Sequence, residues 1–187
     1  MDGGSPSHVP RYYSDGHTIK EIWDKNGAIH RENDKPAIIE YDLAGNIIKE
    51  EWYIAGRCHR NHDRPSRIMY YDGKIIEEQW FKDGNVHRGN DQPAVIEYEN
   101  DRIVTKTWFF DGNWYRENDQ PNFIEYKDGK MVKERWIRGD DKGPHLDVPS
   151  VDIYGKITHE TWYGDGKIIR EVCHTYGNLK KELNTHS

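Results

Sequence analysis

The chain has little of what builds an ordinary globular core. Apolar residues make up 34% of it, charged residues 32%, and the mean hydropathy is −1.06. No window approaches eighteen apolar residues, which excludes a membrane-spanning helix as the plan of the chain. The opening MDGGSPSHVP lacks the apolar stretch of a signal peptide. Cysteine is also scarce: Cys58 and Cys173 lie far apart and in no CxxC pairing, so a reducing, intracellular compartment is expected. Basic runs are missing too. The formal charge is −6 with the signs interspersed, whereas a duplex-binding domain gathers cations to release counterions from phosphate. No nucleic-acid partner is therefore expected. No glycine-rich phosphate cradle precedes a helix, because no stretch reads as a helix.

Aromatic residues are plentiful: seven Trp, twelve Tyr and four Phe. Disordered chains are poor in these, so the low hydropathy points to a thin sheet sealed by rings. The tryptophans are periodic. The stretch Trp80–Tyr98, WFKDGNVHRGNDQPAVIEY, is repeated from Trp23, Trp52, Trp108 and, degraded, Trp136, at intervals of 29, 28, 28 and 28 residues. A fixed period of this size marks a stack of one supersecondary unit. Trp162 extends the row in a unit that runs down.

Two turns punctuate each unit. One follows Tyr (Asp15-Gly16, Ala44-Gly45, Asp72-Gly73, Asn100-Asp101, Asp128-Gly129) and the other follows Trp (Asn26-Gly27, Ala55-Gly56, Asp83-Gly84, Asp111-Gly112, Asp165-Gly166). Such dipeptides between β-branched and aromatic runs signal hairpins, since both central residues of a type I′ turn need positive φ. The fold expected is all-β, an elongated single-layer antiparallel meander of hairpin repeats with two strands per repeat. Counting outward from the second turn sets Trp23 opposite His30, Trp52 opposite His59, Trp80 opposite His87, Trp108 opposite Tyr115 and Phe109 opposite Trp114. Between His-Arg and the next apolar run lies a bend, N-D-x-P, whose Asp34, Asp63, Asp91, Asp119 and Asp147 recur with Pro36, Pro65, Pro93, Pro121 and Pro149. Asp side chains bond nearby amides and Pro fixes φ, so the pair suits an excursion at a sheet edge. The Arg three residues before each Asp (Arg31, Arg60, Arg88, Arg116) becomes Pro144 in the fifth unit while Asp147 stays. The Asp is therefore expected to act within its own bend, without that Arg.

Residues 1–10 read as a flexible leader and 11–183 as one β-repeat domain: a half-repeat cap, five internal repeats and a C-terminal cap, with 184–187 as a tail. Repeat arrays need such atypical ends.

With E-x-W-[FY]-x-x-G-x-x-H-R in hand, as in Glu78–Arg88, the chain resembles the MORN repeat family. It is most similar to the variant form shared with bacterial antitoxin-component-like repeats. With its added ND-x-PA-x-I-E-Y segment it looks like the copies that giant DNA viruses of amoebae encode. The resemblance covers about nine-tenths of the chain. It implies arrays of β-hairpins that serve as scaffolds, often as homodimers and sometimes on membranes or phospholipid. It also implies a viral protein placed in host cytoplasm, nucleus or virion.

The chemistry-bearing residues are mostly the repeated ones. Strands lie ~4.8 Å apart, which puts successive members of the row His30, His59 and His87, two strands on, about 9.6 Å apart, too far to share one ion. His59-x-x-His62-Asp63 is a lone cluster. Cys58-His59 and Cys173-His174 are neighbours, and neighbours on a strand face opposite ways, which separates thiol from imidazole. The glutamates two before each Trp (Glu21, Glu50, Glu78, Glu134, Glu160) share its face as a solvated or cross-paired stripe. An active site is a unique constellation, whereas these residues recur, so no catalytic residue, metal or cofactor is expected. Specific function belongs where the pattern breaks: Trp114, Tyr115, His62 with Cys58, the 139–145 segment and the caps. The function expected is a non-enzymatic scaffold for protein–protein interaction, the alternative a peripheral membrane or phospholipid-associating protein.

Overall fold

Backbone angles that only a few residues tolerate fall at the turn dipeptides. In a computed structural model, Asn26, Ala55, Asp72, Asp83, Asp111 and Asp128 have φ of 47–54°, and each is followed by a glycine of positive φ. The structure describes residues 10–139, 155–164, 167–174 and 180–183. The chain divides into two compact units, 1–84 and 85–187.

In the first unit the strands are β1 (Arg11–Ser14), β2 (Thr18–Ile22), β3 (Asp24–Lys25), β4 (Ala28–Ile29), β5 (Ile38–Asp42), β6 (Ile47–Glu51), β7 (Tyr53–Ile54), β8 (Arg57–Cys58), β9 (Arg67–Tyr71), β10 (Lys74–Gln79) and β11 (Phe81–Lys82). The long strands lie in the order β1-β2-β5-β6-β9-β10, antiparallel and open at β1. The second unit holds β12 (Asn85–Val86), β13 (Val95–Glu99), β14 (Arg102–Thr107), β15 (Phe109–Phe110), β16 (Asn113–Trp114), β17 (Phe123–Lys127), β18 (Lys130–Gly139), β19 (Gly155–Gly164), β20 (Lys167–His174) and β21 (Lys180–Leu183). There the order is β13-β14-β17-β18-β19-β20-β21, again an antiparallel meander not closed into a barrel. The all-β hairpin meander is thus the architecture of both units.

One feature of the meander differs from expectation. The turn after Tyr joins two long strands, but the turn after Trp closes a small hairpin of its own: β3–β4, β7–β8 and β15–β16 are separate two-stranded sheets. The chain leaves the long strand at Trp, makes the small hairpin, rounds the N-D-x-P bend and only then re-enters the sheet. Two-residue strands cannot supply a long ladder, so each hairpin depends on what its neighbours offer. The register counted from the turns holds. His30 N–H donates to Trp23 O at 3.1 Å and His59 N–H to Trp52 O at 3.0 Å. Phe109 pairs Trp114, and Tyr115 N–H donates to Trp108 O at 3.4 Å.

The first residue after each Pro locks the return. Trp52 N–H donates to Ser66 O, and Ser66 N–H to Gln79 O, both at 2.8 Å. The Ser66 hydroxyl, fully buried, also bonds the Phe81 backbone. Asn122 does the same for Ile137, with bonds of 2.7 and 2.8 Å. In the fifth unit β18 runs straight through Trp136 to Gly139 and pairs with β19, so the disruption expected after Trp136 begins as a strand extension. Asp147, Pro149 and nearly all of 139–145 lie outside the described residues.

Inside each unit the sheet faces carry mixed chemistry. Ile39 and Ile68 are buried beside glutamates, and Tyr41 and Tyr70 donate their hydroxyls to Glu21 (3.0 Å) and Glu50 (2.7 Å). The glutamate stripe is therefore cross-paired where these bonds are seen. On the opposite face the buried Glu51 carboxylate receives Arg67 Nε and Nη2, both at 2.6 Å. Arg67 lies 5.0 Å from the Phe81 ring. A charge so placed is tolerated because its partner is fixed, and removing either one leaves the other buried alone.

Candidate functional site

The recurring polar residues meet at the junction between one repeat and the next. In the first unit, Trp52 is 6% exposed and its indole N–H donates to the backbone carbonyl of Asp34, one repeat earlier, at 3.0 Å. The Arg60 guanidinium lies 3.8 Å over the Trp52 ring. It donates through Nε and Nη2 to the two Asp34 carboxylate oxygens, at 2.8 and 2.9 Å, and through Nη1 to Pro65 O. Arg64 adds a contact of 2.5 Å to the same carboxylate. The second unit repeats the plan: Trp108 donates to Asp91 O at 3.0 Å, and Arg116 lies 3.9 Å over Trp108. Arg116 also reaches the Asp91 carboxylate at 3.1 Å.

The expectation that Asp acts alone within its bend is therefore corrected. The carboxylates of Asp34 and Asp91 are taken by the Arg of the following repeat, 26 and 25 residues on. The physical reason is the bend itself. Asp34, Asp63 and Asp91 have φ of 54, 51 and 51°, a conformation in which Asp is among the few tolerated residues. The bond from Arg60 holds the Asp34 carboxyl below its ordinary value against the opposing effect of burial, and the charge of Arg60 and the contact from Arg64 add to it.

The histidines serve the small hairpins. Nδ1 of His30, His59 and His87 accepts the backbone N–H of Ala55, Asp83 and Asp111, at 3.4, 3.3 and 3.2 Å. The next amide bonds the carbonyl beside that His: Gly56 to Ile29, Gly84 to Cys58 and Gly112 to Val86, at 2.9–3.0 Å. Accepting at Nδ1 places the proton of the neutral ring on Nε2, where Glu32 Oε1 meets His30 at 3.1 Å and Asn61 Oδ1 meets His59 at 3.2 Å. Among the described residues, no three of His, Cys, Asp and Glu converge as a metal site would require.

Of the repeat tryptophans, Trp52, Trp80 and Trp108 are 6–7% exposed. Trp80 donates to Asp63 O at 3.1 Å. Trp23 and Trp136 are half-buried. Trp23 instead turns its N–H to Glu21, two residues before it, and Arg31 covers its ring at 3.9 Å. The side chains of Asp119 and Trp162 lie outside what the structure describes.

The residues at pattern breaks do not gather into one place. His62, at φ 64°, is exposed and lines a cleft of about 330 Å³ between two bends, with His30, Asn33, Asp34 and Asn61 among its walls. Cys58 faces the other way, buried, with Sγ 3.8 Å from Ser66 O, and burial pushes its thiol up to about 12. In the fourth hairpin Trp114 is half-buried against Phe109, with centroids 4.5 Å apart. Tyr115, 51% exposed, stands edge-on to Phe110, 48% exposed, and Phe110 tilts onto His87. Sequence reasoning missed Phe110, whose only signal was an aromatic residue where the third hairpin has Lys82. It also missed Ser66 and Asn122, polar residues standing where other repeats have Ala. No helix among the described residues is long and apolar enough to cross a membrane. Compared with family models, curated proteins and solved structures, the chain matches none.

Proposed function

We propose that this chain is a non-catalytic, MORN-like repeat scaffold that binds other proteins. The single observation that carries the reading is the fate of the reactive side chains. Arg60, Arg116, Asp34, Asp91 and the Nδ1 atoms of three histidines are consumed in holding repeats together. Besides the exposed His62, the Phe110–Tyr115 pair is left outward at a pattern break, and it is the aromatic one. Aromatic residues with rigid, amphipathic surface are the side chains that dominate binding between proteins. The test is a photo-crosslinking residue at position 115, against a control at exposed position 82. The expected result is a discrete protein adduct from 115 alone, lost when Phe110 is changed to Ser. Labelling equal at both positions would refute the assignment of this surface.

A second reading, peripheral association with a phospholipid surface, is favoured by Leu43 and Tyr71, 65% and 76% exposed beside the tight turns of the first unit. Co-sedimentation with anionic vesicles separates the two. Strong, salt-sensitive binding, abolished by Leu43→Ser with Tyr71→Ser, would favour the membrane reading.

A further inference from the structure

The turns after Trp are Asn26-Gly27, Ala55-Gly56, Asp83-Gly84 and Asp111-Gly112, and the first of them is the chain's only Asn-Gly pair. Asn-Gly is the dipeptide most prone to cyclise on itself, because glycine has no side chain to block its amide nitrogen from the asparagine Cγ. In a folded chain two things restrain the reaction: a hydrogen bond that occupies the glycine N–H, and a turn that stays shut. Gly56, Gly84 and Gly112 have that bond, donating to Ile29, Cys58 and Val86 at 2.9–3.0 Å. Among the described residues Gly27 N–H has none. Asn26 and Gly27 are both exposed, and nothing lies within 4 Å of where a side chain on Gly27 would stand. The strands that close this turn, β3 and β4, have only two residues each.

We propose that Asn26 is a site of spontaneous deamidation, and that one of its two products loosens the array from this hairpin. When the turn opens, Gly27 N gives up its proton and bonds Asn26 Cγ. The Cγ–Nδ2 bond breaks, the nitrogen takes up a proton and leaves as ammonia, and a five-membered imide remains. Water then opens the ring on either side, returning a proton to Gly27 N. Attack at Cγ gives Asp, and attack at the Asn26 backbone carbonyl gives isoaspartate. One water enters for each ammonia lost, and nothing is oxidised or reduced. The two products differ in what they do to the fold. Asp fits, since Asp83 and Asp111 hold the same turn position at φ 52 and 47°. Isoaspartate routes the main chain through the side-chain carbons and adds a backbone atom. A turn so lengthened cannot keep Lys25 opposite Ala28 and Asp24 opposite Ile29, because a two-residue loop fixes that register. The same register places Ile29 O and His30 Nδ1, which accept the Gly56 and Ala55 amides. The lesion therefore passes to the second small hairpin.

Incubation of the full chain in mildly alkaline buffer tests this, read by peptide mass spectrometry and by methyl transfer from an isoaspartyl methyltransferase. Acid is expected at position 26 before any other asparagine converts, with methyl transfer to the same peptide. Ala55→Asn places the same dipeptide where the glycine amide is bonded, and within that one molecule position 55 is expected to convert more slowly than position 26. Amide exchange at 55 and 56 is expected to quicken in the aged wild type and to keep its original rate in Asn26→Asp. An Asn26 that persists in the folded chain while a peptide of residues 21–32 converts would overturn the proposal, because the turn would then be shut. Equal conversion at 55 and 26 would overturn it as well, since the free amide would then confer nothing. So would unchanged exchange at 55 and 56 once isoaspartate has formed.

Discussion

Replacing Trp52 by Ala removes three things at once. The buried indole leaves a cavity, and Trp→Ala changes of this kind cost about 3–5 kcal/mol. The Asp34 carbonyl loses the N–H that reaches it at 3.0 Å, and one such hydrogen bond contributes about 0.5–1.5 kcal/mol net. The Arg60 guanidinium, 3.8 Å over the ring, loses a cation–π contact of about 0.5–2 kcal/mol. These effects overlap, because water entering the cavity rescues part of the second. The net expectation is about 4 kcal/mol, of the same order as the stability of many domains. Trp52→Phe separates the contributions: it keeps most of the ring contact and loses only the donor, so about 0.5–1.5 kcal/mol is expected. Urea denaturation followed by far-ultraviolet circular dichroism measures both. Hydrogen exchange over 53–58 checks whether the hairpin opens by itself, as repeat arrays permit. A Trp52→Ala protein within 1 kcal/mol of wild type would refute the junction as described, since no buried, bonded ring could be lost so cheaply.

Asp91→Ala breaks the pair with Arg116 but removes a carboxylate that is 41% exposed, so the cost expected from the same denaturation is about 0.5–1 kcal/mol. On acidification, Asp34 has its folded value held below 3.8, first by the Arg60 bond. Its stabilising effect is thus present above about pH 4 and lost as pH falls through the lowered value. A pH series should show stability declining in that acid window, and less steeply in Asp34→Asn. Cys58, its thiol pushed up to about 12 by burial, should resist iodoacetamide at pH 8 in the folded protein and react on unfolding. Peptide mass spectrometry reads this directly, and rapid native labelling would contradict the burial of the thiol.

The parts of this architecture legible in the sequence were local ones. Asp72-Gly73 and Asn26-Gly27 announce positive φ, and counting outward from Asn26-Gly27 places His30 opposite Trp23, because a two-residue turn fixes its register. What stayed hidden acts across a repeat. Nothing within N-D-x-P says that the Asp34 carboxylate belongs to Arg60, 26 residues on. The survival of Asp147 beside Pro144 pointed the other way, since the positive φ seen at Asp34, Asp63 and Asp91 favours Asp without any Arg. The independence of the small hairpins was hidden for a similar reason. Tyr53–Ile54 and Arg57–Cys58 look like continuations of the sheet until Trp52 is seen to turn the chain out of it. His30 looked like a cross-strand partner of Trp23, and its bond to the Ala55 amide became visible only once the next hairpin was in place.

The central claim is that each internal tryptophan is tied by its indole N–H to the bend of the preceding repeat. Hydrogen exchange of the seven Trp indole protons, resolved by nuclear magnetic resonance on indole-¹⁵N protein and assigned with single Trp→Phe variants, tests it most directly. The account predicts slow exchange for Trp52, Trp80 and Trp108, whose N–H groups meet the Asp34, Asp63 and Asp91 carbonyls at 3.0, 3.1 and 3.0 Å. It also predicts faster exchange for Trp23, which is half-buried and bonded to Glu21. Exchange of all three internal indoles at the rate of a free indole would contradict it.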